Sequence, residues 1–207
     1  VPVDLSGLAV ELARRRCVLV GEFRLSSGLT SPYYIDLRAV PSYPDLFDLV
    51  TDAYVERIME TGGSYDRISG IATAGVPIAS LVAYKLRIPF IYVRKEERTH
   101  GTGSLVEGVV ERGDRVLLLD DVATTGGSLV RAVQVLRERG AEVDSVLVMV
   151  DREQGAGEAL SRLGVRLLSI ITASRLIEEL HLKGMVKKDD YDRVMRYMRG
   201  RNDVQGT

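Results

Sequence analysis

The chain reads as an α/β protein, a parallel sheet with helices on both faces. Three observations predict it. After Gly62 and Gly63, short apolar runs alternate with stretches of helical periodicity. The run Val116, Leu117, Leu118, Leu119 is apolar at every position, which suits a strand covered on both sides. One helical stretch ends in Arg137, Glu138 and Arg139 and is followed at once by Gly140, a sharp stop signal.

Taken in order, residues 4–17 carry Leu5, Leu8, Ala9, Leu12 and Ala13 at helical spacing, and 43–61 repeat the pattern with Leu46, Leu49, Val50, Ala53, Tyr54 and Ile58. Between them, 21–38 start polar and Gly-punctuated and turn Tyr-rich, as a loop and hairpin over a ligand would. Strands are expected at 67–72, 89–93, 115–119, 143–150 and 165–171. Helices are expected at 77–86, 127–139, 157–163, 174–180 and 189–199. Right-handed crossovers place ligands beyond the carboxyl ends of such strands. The expectation is a single domain over 1–207, with 1–42 contributing a small hood above the ligand edge.

Composition narrows the function classes. A length of 207 residues suits one sizeable domain, and 45% hydrophobic with 28% charged residues supports an ordinary core. A net charge of −1 argues against a general nucleic-acid binder. No apolar stretch reaches the length of a membrane span, and no signal-peptide pattern is visible, so no membrane partner is expected. Cys17 is the only cysteine, which excludes an intramolecular disulfide. A cytoplasmic protein is the expectation.

The strongest chemical signal follows the apolar run. Asp120 and Asp121 terminate it, and Val122, Ala123, Thr124, Thr125, Gly126, Gly127 and Ser128 lead into a helical pattern. Two acids ending a buried strand are costly unless they meet solvent or a donor-rich ligand. Glycine, hydroxyls and free amides at a helix start form a phosphate nest. Acids and an anion nest a few residues apart suit a ribose 5-phosphate. Neither a Walker A loop nor a dinucleotide fingerprint occurs.

Other constellations lie at further strand ends. Residues 94–104 bring Arg94, Lys95, Arg98 and His100 into a loop loosened by Gly101 and Gly103, able to close over a polyanion. Arg152, between Asp151 and Glu153, ends another apolar strand and would point into the same cleft as Asp120; a planar guanidinium suits a carboxylate or paired carbonyls. The small-residue loop from Ile71 to Pro77 could let a diphosphate approach the backbone.

Together these segments resemble the type I phosphoribosyltransferases, and within them the orotate phosphoribosyltransferases. The acid pair with Thr124 to Ser128 resembles the superfamily's PRPP motif. The 94–101 loop resembles the mobile catalytic loop. Asp151, Arg152 and Glu153 resemble the orotate-contacting strand end, and Ser27, Gly28, Ser31, Pro32 and Tyr34 the N-terminal ligand loop. The resemblance implies that Asp120 and Asp121 hold the ribose hydroxyls and that 123–128 cradle the 5-phosphate, with Val122 in the same PRPP-binding stretch. It also implies that Arg94, Lys95, Arg98 and His100 bind the diphosphate, while Thr124 and Arg152 contact orotate. The catalytic set would then be Lys95, Arg98, His100, Asp120 and Asp121. Mg²⁺ arrives with PRPP and needs few or no protein ligands, and loop residues shared between subunits imply a homodimer. The chain departs from many members at Ser26 and Arg98, where they carry Lys, and from some bacterial members at Ala74, again Lys there; Arg98 keeps the charge in a larger, forked form.

The implied reaction transfers ribose 5-phosphate from PRPP to orotate, giving orotidine 5-monophosphate and diphosphate in pyrimidine biosynthesis. Two rivals use the same nest. A purine phosphoribosyltransferase leaves Arg152 without a carboxylate to bind. A PRPP-sensing regulator would keep the nest and do no chemistry, usually with an added DNA-binding segment, for which one helix before Gly21 leaves little room.

Overall fold

A computed structural model describes residues 3–24, 30–96 and 104–205. In chain order the elements are α1 (Leu5–Arg14), β1 (Val18–Arg24), β2 (Thr30–Ile35), a 3-10 turn (Val40–Ser42), α2 (Pro44–Glu60), β3 (Arg67–Ile71), α3 (Gly75–Leu86), β4 (Phe90–Val93) and β5 (Val106–Glu107). There follow β6 (Val116–Ala123), α4 (Gly127–Glu138), β7 (Ser145–Asp151), α5 (Ala156–Ser161), β8 (Arg166–Thr172), α6 (Ala173–Leu182) and α7 (Lys188–Gln205).

The main sheet has the order β5-β4-β3-β6-β7-β8, and all its pairings are parallel except β4 with β5. The middles of its central strands β6 and β7 are apolar at successive positions, because both faces are covered. Leu117, Leu119, Leu147 and Met149 join the core built with α1, α2, α3, α6 and α7. Their neighbours Val116, Leu118, Val146 and Val148 join the core built with α4 and α5. The period-two alternation of side chains thus feeds two apolar layers instead of one. Among the described residues no helix is long and apolar enough to cross a membrane.

The topology locates a cleft. From β3 the chain moves outward to β4, then returns past β3 to lay β6 on its other flank and continues through β7 and β8. This reversal opens a crevice between the carboxyl ends of β3 and β6, where open parallel sheets bind ligands. A separate antiparallel hairpin, β1 with β2, precedes the sheet, and its Tyr33 meets Tyr197 of α7 edge-on.

Two expectations need correction. The strand expected to stop at 119 runs on to Ala123, because Asp120, Val122 and Ala123 pair with Val148, Val150 and Asp151 of β7. The acids therefore lie inside the strand, and the turn is only 124–126. Within the segment after the charged loop, Val106 and Glu107 form a strand that the sequence reading did not predict, paired with Val93 and Tyr92. Two residues are too few for any periodicity to announce them.

Candidate active site

Three loops and the start of a fourth meet at the carboxyl edge of the sheet: 72–74 after β3, 124–126 after β6, 152–155 after β7, and 94–96 leaving β4. Backbone bonds tie neighbouring loops together. The Ala72 amide donates to the Val93 carbonyl at 2.8 Å, the Arg152 amide to Ala123 at 2.9 Å, and the Ala156 amide to Thr124 at 3.1 Å. The Ala72–Thr73 peptide is cis.

Two helices begin at this edge without side-chain caps. α3 starts after Ala74 and α4 after Gly126, and at neither does a side chain accept a hydrogen bond from the first turn. Both N-termini thus keep amide donors and the positive end of the helix dipole available to an anion. Gly126 makes the second start possible. It has φ of +85°, and a Cβ there would stand 3.0 Å from the Ala156 Cα.

Asp120 is only 8% exposed. Its Oδ1 accepts from the Asp121 amide at 3.0 Å, and Asp121 Oδ1 accepts from the Val122 amide at 2.9 Å. Burial raises the pKa of both carboxyls; for Asp120 the neighbouring Asp121 charge adds to it, while Lys95 opposes it. Asp36, just past β2, contributes further negative charge against Asp121. Such a pair gains from a ligand that brings hydroxyl donors.

The acid pair is held from two directions that sequence reasoning missed. Tyr54 of α2, fully buried, donates its hydroxyl to the Asp120 carbonyl at 2.7 Å. That carbonyl lies one residue past the last β3–β6 pair, Gly70 with Leu119. Gly75 closes the other side: a Cβ there would stand 2.8 Å from Asp120 Oδ1 and 2.9 Å from the Leu119 carbonyl oxygen. Tyr54 counted in the sequence only as one more apolar position on a helix, and nothing in its spacing signals the hydroxyl's role. Gly75 lay in a loop already singled out.

Arg152 is 9% exposed and directly follows the end of β7, the strand paired with β6. Its Nε donates to the Tyr33 hydroxyl at 3.3 Å, and its Cζ lies 4.8 Å from the centre of the Tyr33 ring. Its Nη2 is buried and has no hydrogen-bond partner among the described residues. Glu153 anchors the loop that carries it. The Glu153 amide donates to Asp151 Oδ1 at 2.9 Å, and its carboxylate accepts from the Ser174 amide at the start of α6 at 2.9 Å.

The sequence-predicted residues divide accordingly. Asp120, Asp121, Val122, Ala123, Thr124, Thr125, Gly126, Gly127, Ser128 and Arg152 fall along one edge, and Lys95 is close enough to Asp120 to bias its ionisation. Arg94 commits one guanidinium nitrogen to Glu107 of β5 at 3.0 Å. Arg98 and His100, with Ser26, Ser27 and Gly28, lie outside the described residues.

Comparison with known proteins fits this geometry. Residues 39–172 match the Phosphoribosyl transferase domain family, a span reaching from before α2 to the end of β8. An orotate phosphoribosyltransferase of Sulfolobus acidocaldarius is 42% identical over 187 residues, covering 90% of this chain and 93% of that protein. The crystal structure of orotate phosphoribosyltransferase from Aeropyrum pernix superposes with a TM-score of 0.75 at 42% identity, over 84% of this chain and 98% of that one. The Mycobacterium tuberculosis orotate phosphoribosyltransferase, solved in complex with 5-phospho-α-D-ribosyl 1-diphosphate, gives a TM-score of 0.66 at 31% identity, over 84% of this chain and 98% of that one. By its sheet, its matched domain and these relatives, the chain belongs to the phosphoribosyltransferase family, among the orotate phosphoribosyltransferases.

Proposed function

We propose that the chain transfers the ribose 5-phosphate of PRPP to orotate, releasing diphosphate and orotidine 5-monophosphate, in the cytoplasm and as one domain whose β1–β2 hairpin is the hood. The observation that carries the choice of base is Arg152. A buried guanidinium that keeps an unpartnered donor at the mouth of a phosphate-binding cleft calls for an anionic partner. A neutral purine has none to offer; orotate has a carboxylate.

The remaining roles follow from position. The uncapped start of α4 takes the 5-phosphate through residues 124–128, and the acid pair takes the two ribose hydroxyls. The start of α3 and loop 72–74 receive the diphosphate. Lys95 supplies positive charge beside it, with Arg94, Arg98 and His100 of the same loop. Thr124 faces the base. The ring nitrogen of orotate bonds to C1 of the ribose as the C1–O bond to diphosphate breaks. The leaving group takes the electron pair and the ring nitrogen gives up its proton. No covalent help from the protein is needed, so catalysis consists of aligning base and C1 and stabilising the leaving charge.

Mg²⁺ fits the donor set as a companion of the substrate. Mg²⁺ commonly takes substrate phosphate oxygens, water and at most one or two carboxylates. When bound, it would supply positive charge against the diphosphate. Two copies form the active assembly, each lending its 94–104 loop to the other's cleft.

Orotate absorbance, followed in the ultraviolet, tests the reading. It falls only when enzyme, PRPP and Mg²⁺ are all present. Consumption of adenine or hypoxanthine in place of orotate would overturn the base assignment, and PRPP binding without turnover would make the chain a sensor.

A further inference from the structure

We propose that Tyr33 is a positioning residue that fixes which edge of Arg152 faces the base, and so sets the preference for an anionic, carboxylate-bearing ring. The inference rests on the orotate role of Arg152 proposed above and adds the means by which that side chain is aimed.

A guanidinium can meet a carboxylate in two planar ways, along its Nε side or end-on through Nη1 and Nη2. Here the Nε side is taken. Tyr33 accepts the Nε proton at 3.3 Å while its ring lies beneath the guanidinium carbon at 4.8 Å. One residue thus occupies both an edge and a face of the group. The terminal edge remains, and there Nη2 is buried with no partner among the described residues. A carboxylate approaching end-on would meet that Nη2.

Tyr33 is itself held firmly enough to aim another group. It is wholly buried in β2, pairs with Val20 of β1, and accepts at its carbonyl from the Ser31 hydroxyl at 2.8 Å. Its ring meets Tyr197 of α7 edge-on, with centroids 6.3 Å apart and planes at 81°. The seat for Arg152 therefore comes from the N-terminal hairpin and the C-terminal helix, two parts of the chain distant in sequence from the phosphate nests. This arrangement separates base recognition from PRPP recognition: disturbing the seat alters how the carboxylate is met and leaves the acid pair and the α4 N-terminus in place.

The experiment is a double-mutant cycle on the full chain with Tyr33→Phe and Arg152→Met, reading KM for orotate and KM for PRPP separately. Phe preserves the ring and removes only the hydroxyl, and thermal melting checks that both variants fold. Tyr33→Phe is expected to raise KM for orotate about tenfold, the scale of one hydrogen bond to a charged group, while KM for PRPP stays within about twofold. In the Arg152→Met background the same change adds less than about twofold, because the group being aimed is gone. Equal rises in both KM values, an unchanged KM for orotate, or additive effects would each overturn the proposal. If Arg152→Met leaves KM for orotate at the parent value, the base-recognition role of Arg152 fails instead.

Discussion

Replacing Gly75 with alanine tests how tightly the acid pair is packed. An added Cβ would stand 2.8 Å from Asp120 Oδ1, 2.9 Å from the Leu119 carbonyl oxygen and 3.2 Å from the Asp120 Cα. Relaxing these contacts to about 3.5 Å requires a shift of roughly 0.7 Å. Little can give way, since β6 is an interior strand paired with β3 on one side and β7 on the other. Overpacking of this kind costs about 1–3 kcal/mol. For a chain of this length that corresponds to a fall in Tm of about 2–12 °C. The atom displaced is a carboxylate oxygen proposed to hold the ribose, and a 1 Å misplacement costs about a hundredfold, so kcat/KM for PRPP should fall at least about tenfold. Differential scanning calorimetry and initial rates measure the two effects. Gly157→Ala provides the control: its Cβ meets nothing within 4 Å, so helix propensity should leave stability unchanged or raise it by about 0.5–1 kcal/mol. A Gly75→Ala protein that melts with the parent and uses PRPP at the parent rate would refute the packing argument.

Two further outcomes follow from the site. Burial and the Asp121 charge raise the Asp120 pKa above its unfolded value, so the native state binds more protons and this group's contribution to stability falls as pH rises from about 4. Asp120→Asn should therefore raise the Tm of the ligand-free protein at pH 8, with a gain that shrinks toward pH 5, while activity drops; a gain that does not vary with pH counts against the buried-charge account. If the 94–104 loop serves the neighbouring copy, mixing Lys95→Ala and Asp121→Asn proteins after reassociation should restore about one quarter of parent activity, since half the dimers are mixed and each has one intact cleft. No recovery would mean that each copy is self-sufficient.

The α/β class was legible in the sequence, because short apolar runs alternate with helical periodicity and a run apolar at every position suits a strand covered on both faces; Leu117 and Leu118 do enter opposite cores. The stretch proposed to bind PRPP was legible as a candidate, because its acids, hydroxyls and glycines sit in one contiguous run whose chemistry is local. The length of β6 was not legible: Asp120 to Ala123 are extended because β7 pairs with them, a partner more than twenty residues away. Nor was β5, which exists only as an antiparallel pairing to β4. The same holds for the groups that hold the site. Tyr54 reaches Asp120 across 66 residues of chain and Tyr33 reaches Arg152 across 119. A helical tyrosine and a strand tyrosine look like core in any one-dimensional pattern. That their hydroxyls meet the Asp120 carbonyl and the arginine proposed to bind the base emerges only in three dimensions, because a hydrogen bond is set by distance in space and leaves no period in the sequence.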